Sequence, residues 1–206
     1  MPGGRTRPGA DRSARSYRLH VPGGWFVVDL DRDDPAAATA LVDEHLKERA
    51  DLAPYRDAFV GSLETFIGES REREALDAAL FLDIVEGLVL TATIQTMLAE
   101  RDGGGDPGAE CARLAATLAD PRPGDTRVPD LRLVDLGAGP AVRVANAREA
   151  MGTDGPGPVV EYVEHWIPVA GRAETLLVLG ETPHLAFASD IAAAFDRIVA
   201  TLVIQR

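Results

Sequence analysis

Between residues 131 and 180 the chain alternates short extended segments with glycine-rich turns, and this pattern limits its fold more than any other feature. Extended stretches at 131–136, 141–148, 159–169 and 175–180 are separated by Gly137-Ala138-Gly139-Pro140, by a glycine-rich loop over 152–158, and by a short polar link. Strands joined by so few residues pair antiparallel, because a parallel crossover takes a dozen residues or more. The second half of the chain therefore predicts an antiparallel meander.

The first half adds strands and helices to it. Trp25-Phe26-Val27-Val28-Asp29-Leu30 is β-branched and aromatic, lies after Gly23-Gly24, and reads as the first strand. Asp34-Pro35 supplies a cap and a first-position proline for a helix over 35–49, with Leu41, Val42, His45 and Leu46 on one face. Pro54 opens a second amphipathic helix through Tyr55, Phe59, Leu63, Phe66 and Ile67, ending near Gly68. Residues 78–84 and 88–97 flank Val85-Glu86-Gly87 and read as a β-hairpin, although a helix also fits the alanine- and leucine-rich stretch 78–82. After a turn cluster at 103–108, Leu114 and Leu118 mark a short helix that ends before Pro121 and covers one sheet face. Thr182-Pro183 then caps a terminal helix with the stripe Leu185, Ala188, Ile191, Phe195, Ile198 and Leu202.

The 206 residues suit one domain, 19–206, preceded by a basic tail. Residues 1–18 carry five arginines against Asp11, lack apolar periodicity, and are expected to be disordered. The whole chain has a formal net charge of −12, which opposes nucleic-acid binding by phosphate neutralisation. The tail has no apolar stretch of the kind a secretory signal needs before Pro22-Gly23-Gly24, so the expected compartment is the cytoplasm. No apolar run is long enough for a transmembrane helix. A single cysteine, Cys111, excludes an intrachain disulfide and a multi-cysteine zinc site.

No residue set forms a catalytic constellation. The segment 133–140, Leu-Val-Asp-Leu-Gly-Ala-Gly-Pro, resembles the first motif of class I methyltransferases, in which small residues let backbone amides approach S-adenosylmethionine at a helix start. Ala141 stands where that motif expects a further glycine, and Val142-Arg143-Val144 alternates like a strand, so a hairpin is the expected structure. His20, His45, His165 and His184 stand too far apart to aim two rings at one metal, and His45 reads as a core histidine. Cys111, on a predicted helix face, reads as a buried thiol, and no phosphate-binding loop is present. In Glu161-Tyr162-Val163-Glu164-His165-Trp166, strand alternation puts Tyr162, Glu164 and Trp166 on one face. That composition fits a binding surface, and it also fits a half-covered sheet.

Several motifs together resemble actinobacterial relatives of the PsbP-like fold. They are Pro22-Gly23-Gly24-Trp25-Phe26, the turn 136–144 ending in Gly-Pro-Ala-Val-Arg-Val, Trp166-Ile167-Pro168-Val169, Thr182-Pro183 and Phe195-Asp196-Arg197-Ile198. The resemblance implies an α+β fold, an α/β/α sandwich with an antiparallel sheet of about six or seven strands and helices on both faces. Proteins of that fold share protein binding without catalysis, which implies a non-enzymatic interaction module with no cofactor, whose partner is another protein. Two other functions stay open at this stage: a methyltransferase-like enzyme using 133–140, and a small-ligand carrier with a pocket between sheet and helices.

Overall fold

The computed structural model describes residues 17–32, 34–85, 87–100, 105–152 and 155–205. Nine strands and four α-helices follow in the order β1 (Tyr17–Arg18), β2 (Trp25–Val28), α1 (Ala37–Glu48), α2 (Arg56–Glu72), β3 (Asp77–Val85), β4 (Leu88–Glu100), α3 (Pro107–Leu118), β5 (Asp130–Leu136), β6 (Gly139–Gly152), β7 (Gly155–Pro168), β8 (Glu174–Thr182), α4 (Ala188–Val199) and β9 (Val203–Ile204). Seven strands form one antiparallel sheet in the order β2-β3-β4-β8-β7-β6-β5. Meander logic therefore extends over both halves, joined where β4 pairs with β8.

Strand alternation divides the core into two layers. Ala79, Ile94, Val163 and Val178 point to the face covered by α4 through Ile191, Phe195 and Ile198. Their neighbours Ala78 and Leu80 point to the opposite face, under α1 and α2, where Val42, Phe59, Leu63 and Phe66 are buried. Farther along that second face, Cys111 and Leu114 of α3 cover Val142, Val144 and Leu179. Helices thus flank the sheet on both sides, and Cys111 is a buried thiol outside any disulfide, as its helix position predicts.

The local signals act largely as read. The 78–97 stretch is the β3–β4 hairpin, with Gly87 at φ +81° in a turn that disfavours a side chain. Asp106 caps α3, its Oδ2 accepting from the Ala109 amide at 2.9 Å, so this helix is longer than the pair Leu114 and Leu118 suggests. Helix α2 continues past Gly68 to Glu72 after a short 3-10 turn over Ala50–Tyr55.

Two expectations are corrected. Thr182 is not a helix cap: it ends β8, and its buried hydroxyl donates to the Thr91 carbonyl at 2.8 Å. The terminal helix begins only at Ala188, after a 3-10 turn over Leu185–Phe187. Tyr17 and Arg18, assigned to the tail by composition, form a strand with Val203 and Ile204 instead. That ribbon joins Tyr17–Arg18 to Val203–Ile204 on the α4 side of the sheet. Residues 1–16, which make up the rest of the expected tail, and part of the 103–108 turn lie outside the described residues.

Candidate binding surfaces

The residues singled out by sequence do not converge on one centre. Segment 133–140 is the β5–β6 hairpin, with Leu136 opposite Gly139 and Asp135 opposite Pro140. Gly139 has φ +129°, a conformation of glycine alone, and a strand follows where a cofactor loop needs a helix start. The glycines serve the turn. His45 packs against Phe26 with centroids 4.7 Å apart and the rings tilted by 50°, His20 is exposed, and His184 Nε2 lies 3.2 Å from Thr91 Oγ1. Burial pushes the His184 ring below its usual titration range, which favours the neutral form. Among the described residues, no group of three metal-binding side chains comes together.

His165 is a linchpin between layers. Its Nε2 lies 3.1 Å from Asp196 Oδ1, which also accepts from Arg143 Nε at 2.8 Å, tying α4 to β6 and β7. Burial works to raise the Asp196 carboxyl, but the bonds from His165 and Arg143 outweigh it and pull the group down to about 2. A carboxyl lowered on folding contributes stability above its unfolded range and loses it as pH falls through the folded value. With Asp196 40% exposed, that contribution is discounted to about 1 kcal/mol. Asp196→Asn is therefore expected to flatten the fall in urea-unfolding free energy between about pH 4 and pH 2. An unchanged acid limb would reject the pairing.

The face carrying Tyr162, Glu164 and Trp166 holds the least expected arrangement. On this face, side chains from six segments, the end of α2, β4, the loop after α3, β6, β7 and β8, meet in a charged seam. Glu164 accepts both terminal nitrogens of Arg122, at 2.9 and 3.1 Å, and the Trp166 indole N–H at 2.9 Å. Arg122 also donates to the Tyr162 hydroxyl at 2.7 Å, which itself donates to Asp125 at 2.9 Å. Glu181, register partner of Tyr162, takes Arg73 at 2.6 Å on one oxygen and Arg148 on the other. Arg73 also reaches Gln95 at 3.1 Å, and Gln95 donates to Ser70 of α2 at 2.7 Å. The Arg122 and Arg148 guanidiniums lie 5.1 and 5.2 Å from the Tyr162 ring centre.

This seam does not resemble an acid–base centre. Burial first, and then the bond to Asp125, push the Tyr162 hydroxyl up to about 12, so it stays protonated. The Glu164 side chain is only 4% exposed and fully engaged, while Arg73, Arg122 and Arg148 keep 33–38% of their side chains open to water. Three guanidiniums are thus held from below by two carboxylates, Glu164 under Arg122 and Glu181 under Arg73 and Arg148. Sequence reasoning found Tyr162, Glu164 and Trp166 but missed Arg73, Arg122, Arg148, Asp125 and Glu181. Their only local signal was a glutamate placed between aromatics on a face that is otherwise apolar.

No family model and no curated protein matches the chain. Its fold is similar to the crystal structure of LpqN, involved in cell envelope biogenesis in Mycobacterium tuberculosis, with a TM-score of 0.50 and 10% identity over 92% of this chain and 83% of that one. At that identity the likeness concerns the fold alone. No helix among the described residues is long and apolar enough to cross a membrane.

A groove of about 740 Å³ lies on the opposite, α4-bearing face, between the β1–β9 ribbon and the β2–β3–β4 end of the sheet. Its lining mixes apolar side chains, among them Val27, Ala79, Ile94 and Val203, with polar and charged ones, among them Tyr17, Arg18, His20, Asp77, Thr96 and Gln205. Within that lining the Tyr17 hydroxyl donates to Asp77 and lies 2.6 Å from Thr96 Oγ1. Thr96 Oγ1 also accepts from the Asp77 amide at 3.1 Å.

Proposed function

We propose that this chain is a non-enzymatic protein-interaction module that docks a carboxylate-bearing segment of a partner protein on the Arg73–Arg148–Arg122 seam. The observation that carries this reading is the row of part-exposed guanidiniums, each fixed by a more deeply buried acid. Arginine, tyrosine and tryptophan dominate binding hot spots, and a pre-positioned guanidinium loses little entropy when it meets a carboxylate. The cost points the same way. Burying charges on a sheet face seldom stabilises a fold better than apolar packing would, so a role beyond stability accounts for keeping them. Support also comes from the motif resemblance to the PsbP-like fold, whose members share protein binding.

Overall charge shapes the expected kinetics. A body of −12 repels an acidic partner at long range, whereas the seam attracts it only at contact. Affinity is therefore expected to hold or tighten as salt rises from ~50 to ~300 mM.

The test is quantitative capture of binding proteins by the full chain and by Arg73→Lys/Arg148→Lys. Lysine keeps the charge beside Glu181 but lacks the planar fork. Retention of the partner is expected to fall about tenfold, with a melting temperature within a few degrees of the parent. Equal retention by both forms would reject the seam as the docking face.

A further inference from the structure

We infer that the outer edge of β5 pairs antiparallel with β5 of a second copy of this chain, across a two-fold axis through Leu131, to join two seven-stranded sheets into one. β5 and the four-residue β2 are the two edges of the sheet. Along β5, Leu136 faces Gly139 across a two-residue turn, and Asp135 faces Pro140, which has no N–H to give. The positions bonded to β6 are therefore 130, 132, 134 and 136. Alternation turns the N–H and C=O groups of Leu131, Leu133 and Asp135 outward, where they meet no partner among the described residues.

An open edge invites other strands, and charged side chains usually keep them away. Here the charges admit one strand, a copy of β5 itself. With Leu131 opposite its own copy, Asp130 faces Arg132, Leu133 faces Pro129, Val134 faces Val128 and Asp135 faces Arg127, each pair occurring twice. Opposite charges meet opposite charges, and apolar side chains meet apolar ones, at every position from 127 to 135. Neighbouring alignments fail. An axis through Arg132 sets that arginine against itself, and an axis through Leu133 sets Leu131 against Asp135 and Asp130 against Leu136.

Exposure selects the same residues. Leu133 and Val128 are 62% and 73% exposed, and the side chains of Arg132 and Asp130 are 66% and 52% exposed. Before β5 the chain bulges off the sheet: between the Asp125–Arg148 bridge and the Asp130–Ala145 pair, residues 126–129 stand against only 146 and 147. Val128 and Pro129 are thus placed to follow a second strand. Arg132 already donates to Asp130 along its own strand at 2.8 Å, so the two-fold makes a ring of four alternating charges. Arg127 carries Glu161 as well and contributes less. None of the seam arginines takes part, so this inference does not rest on the docking role proposed above.

Sedimentation velocity of the full chain from ~1 to ~300 μM is expected to show a monomer–dimer equilibrium with a Kd of roughly 10 μM, the weak end for so short a contact. Arg132→Asp and Asp130→Arg each set like charges against one another and are expected to raise Kd at least about tenfold. Both sites are exposed, so melting temperatures should stay within a few degrees of the parent. An equimolar mixture of the two variants restores opposite charges at both positions and should dimerise as the parent does. Leu133→Pro removes an N–H that points off the edge, takes no bond from the sheet, and should weaken the dimer about tenfold. A parent that stays monomeric at ~300 μM would overturn the proposal, as would a dimer indifferent to these substitutions. A mixture that stays monomeric would overturn it too, because only the Leu131 alignment sets 130 against 132.

Discussion

Arg122→Leu is expected to lower the unfolding free energy by about 3 kcal/mol, and adding Glu164→Leu to recover more than half of that loss. The single change strips Glu164 of two of the three donors named above, leaving the Trp166 indole against a carboxylate that is 4% exposed. An uncompensated buried charge of this kind costs about 3–5 kcal/mol, and the 35% exposure of Arg122 places the effect at the lower end. The double variant removes the charge as well, and Glu164 sits among Val142, Val144 and Leu179, where a leucine packs readily. Urea denaturation of the three proteins decides it. Recovery in the double variant would mean that the seam is not kept for stability, as its proposed docking role requires. A double variant less stable than Arg122→Leu would make the seam a net stabiliser and remove that support.

Gly180→Ala is expected to cost about 2–3 kcal/mol, unusually large for a single added methyl group. A Cβ at this position would stand 2.5 Å from Cγ and Cδ2 of Phe195, far inside van der Waals contact. The ring cannot withdraw, because Phe195 is fully buried, with Trp25 edge-on at a centroid distance of 6.2 Å. Either α4 lifts from β8 or Phe195 leaves its rotamer, and both break the packing beneath the Asp196–His165 tie. Phe195→Leu frees room over β8, so Gly180→Ala/Phe195→Leu should be more stable than the sum of the two single losses. Strict additivity in thermal or urea unfolding would show that the two positions do not meet.

The sheet order was largely legible because its evidence is local. Two-residue alternation, Gly137-Ala138 and Gly87 at turns, and the short links between strands imply antiparallel neighbours without any long-range knowledge. Helix starts were less secure. Thr182-Pro183 has the composition of a cap, yet the hydrogen bond from Thr182 to Thr91 and pairing with Glu161 hold it in the sheet. The β1–β9 ribbon escaped notice because two-residue strands have no periodicity to detect, and their pairing joins residues nearly two hundred positions apart.

What the sequence by itself determined is the α+β class, the antiparallel meander, the approximate helices, and the two faces of 161–166, all consequences of backbone sterics and side-chain period. Only the tertiary structure decided which charges meet. Arg73, Arg122 and Arg148 lie on separate elements, and each finds its acid through sheet register and helix placement rather than through spacing along the chain. Glu164 is tolerable in a buried layer chiefly because Arg122 arrives from 42 residues away to supply two of the donors it accepts. Ion pairs depend on distance in space, and in a non-local sheet that distance is set by folding, which is why neither the seam nor the groove could be read before the strands were assembled.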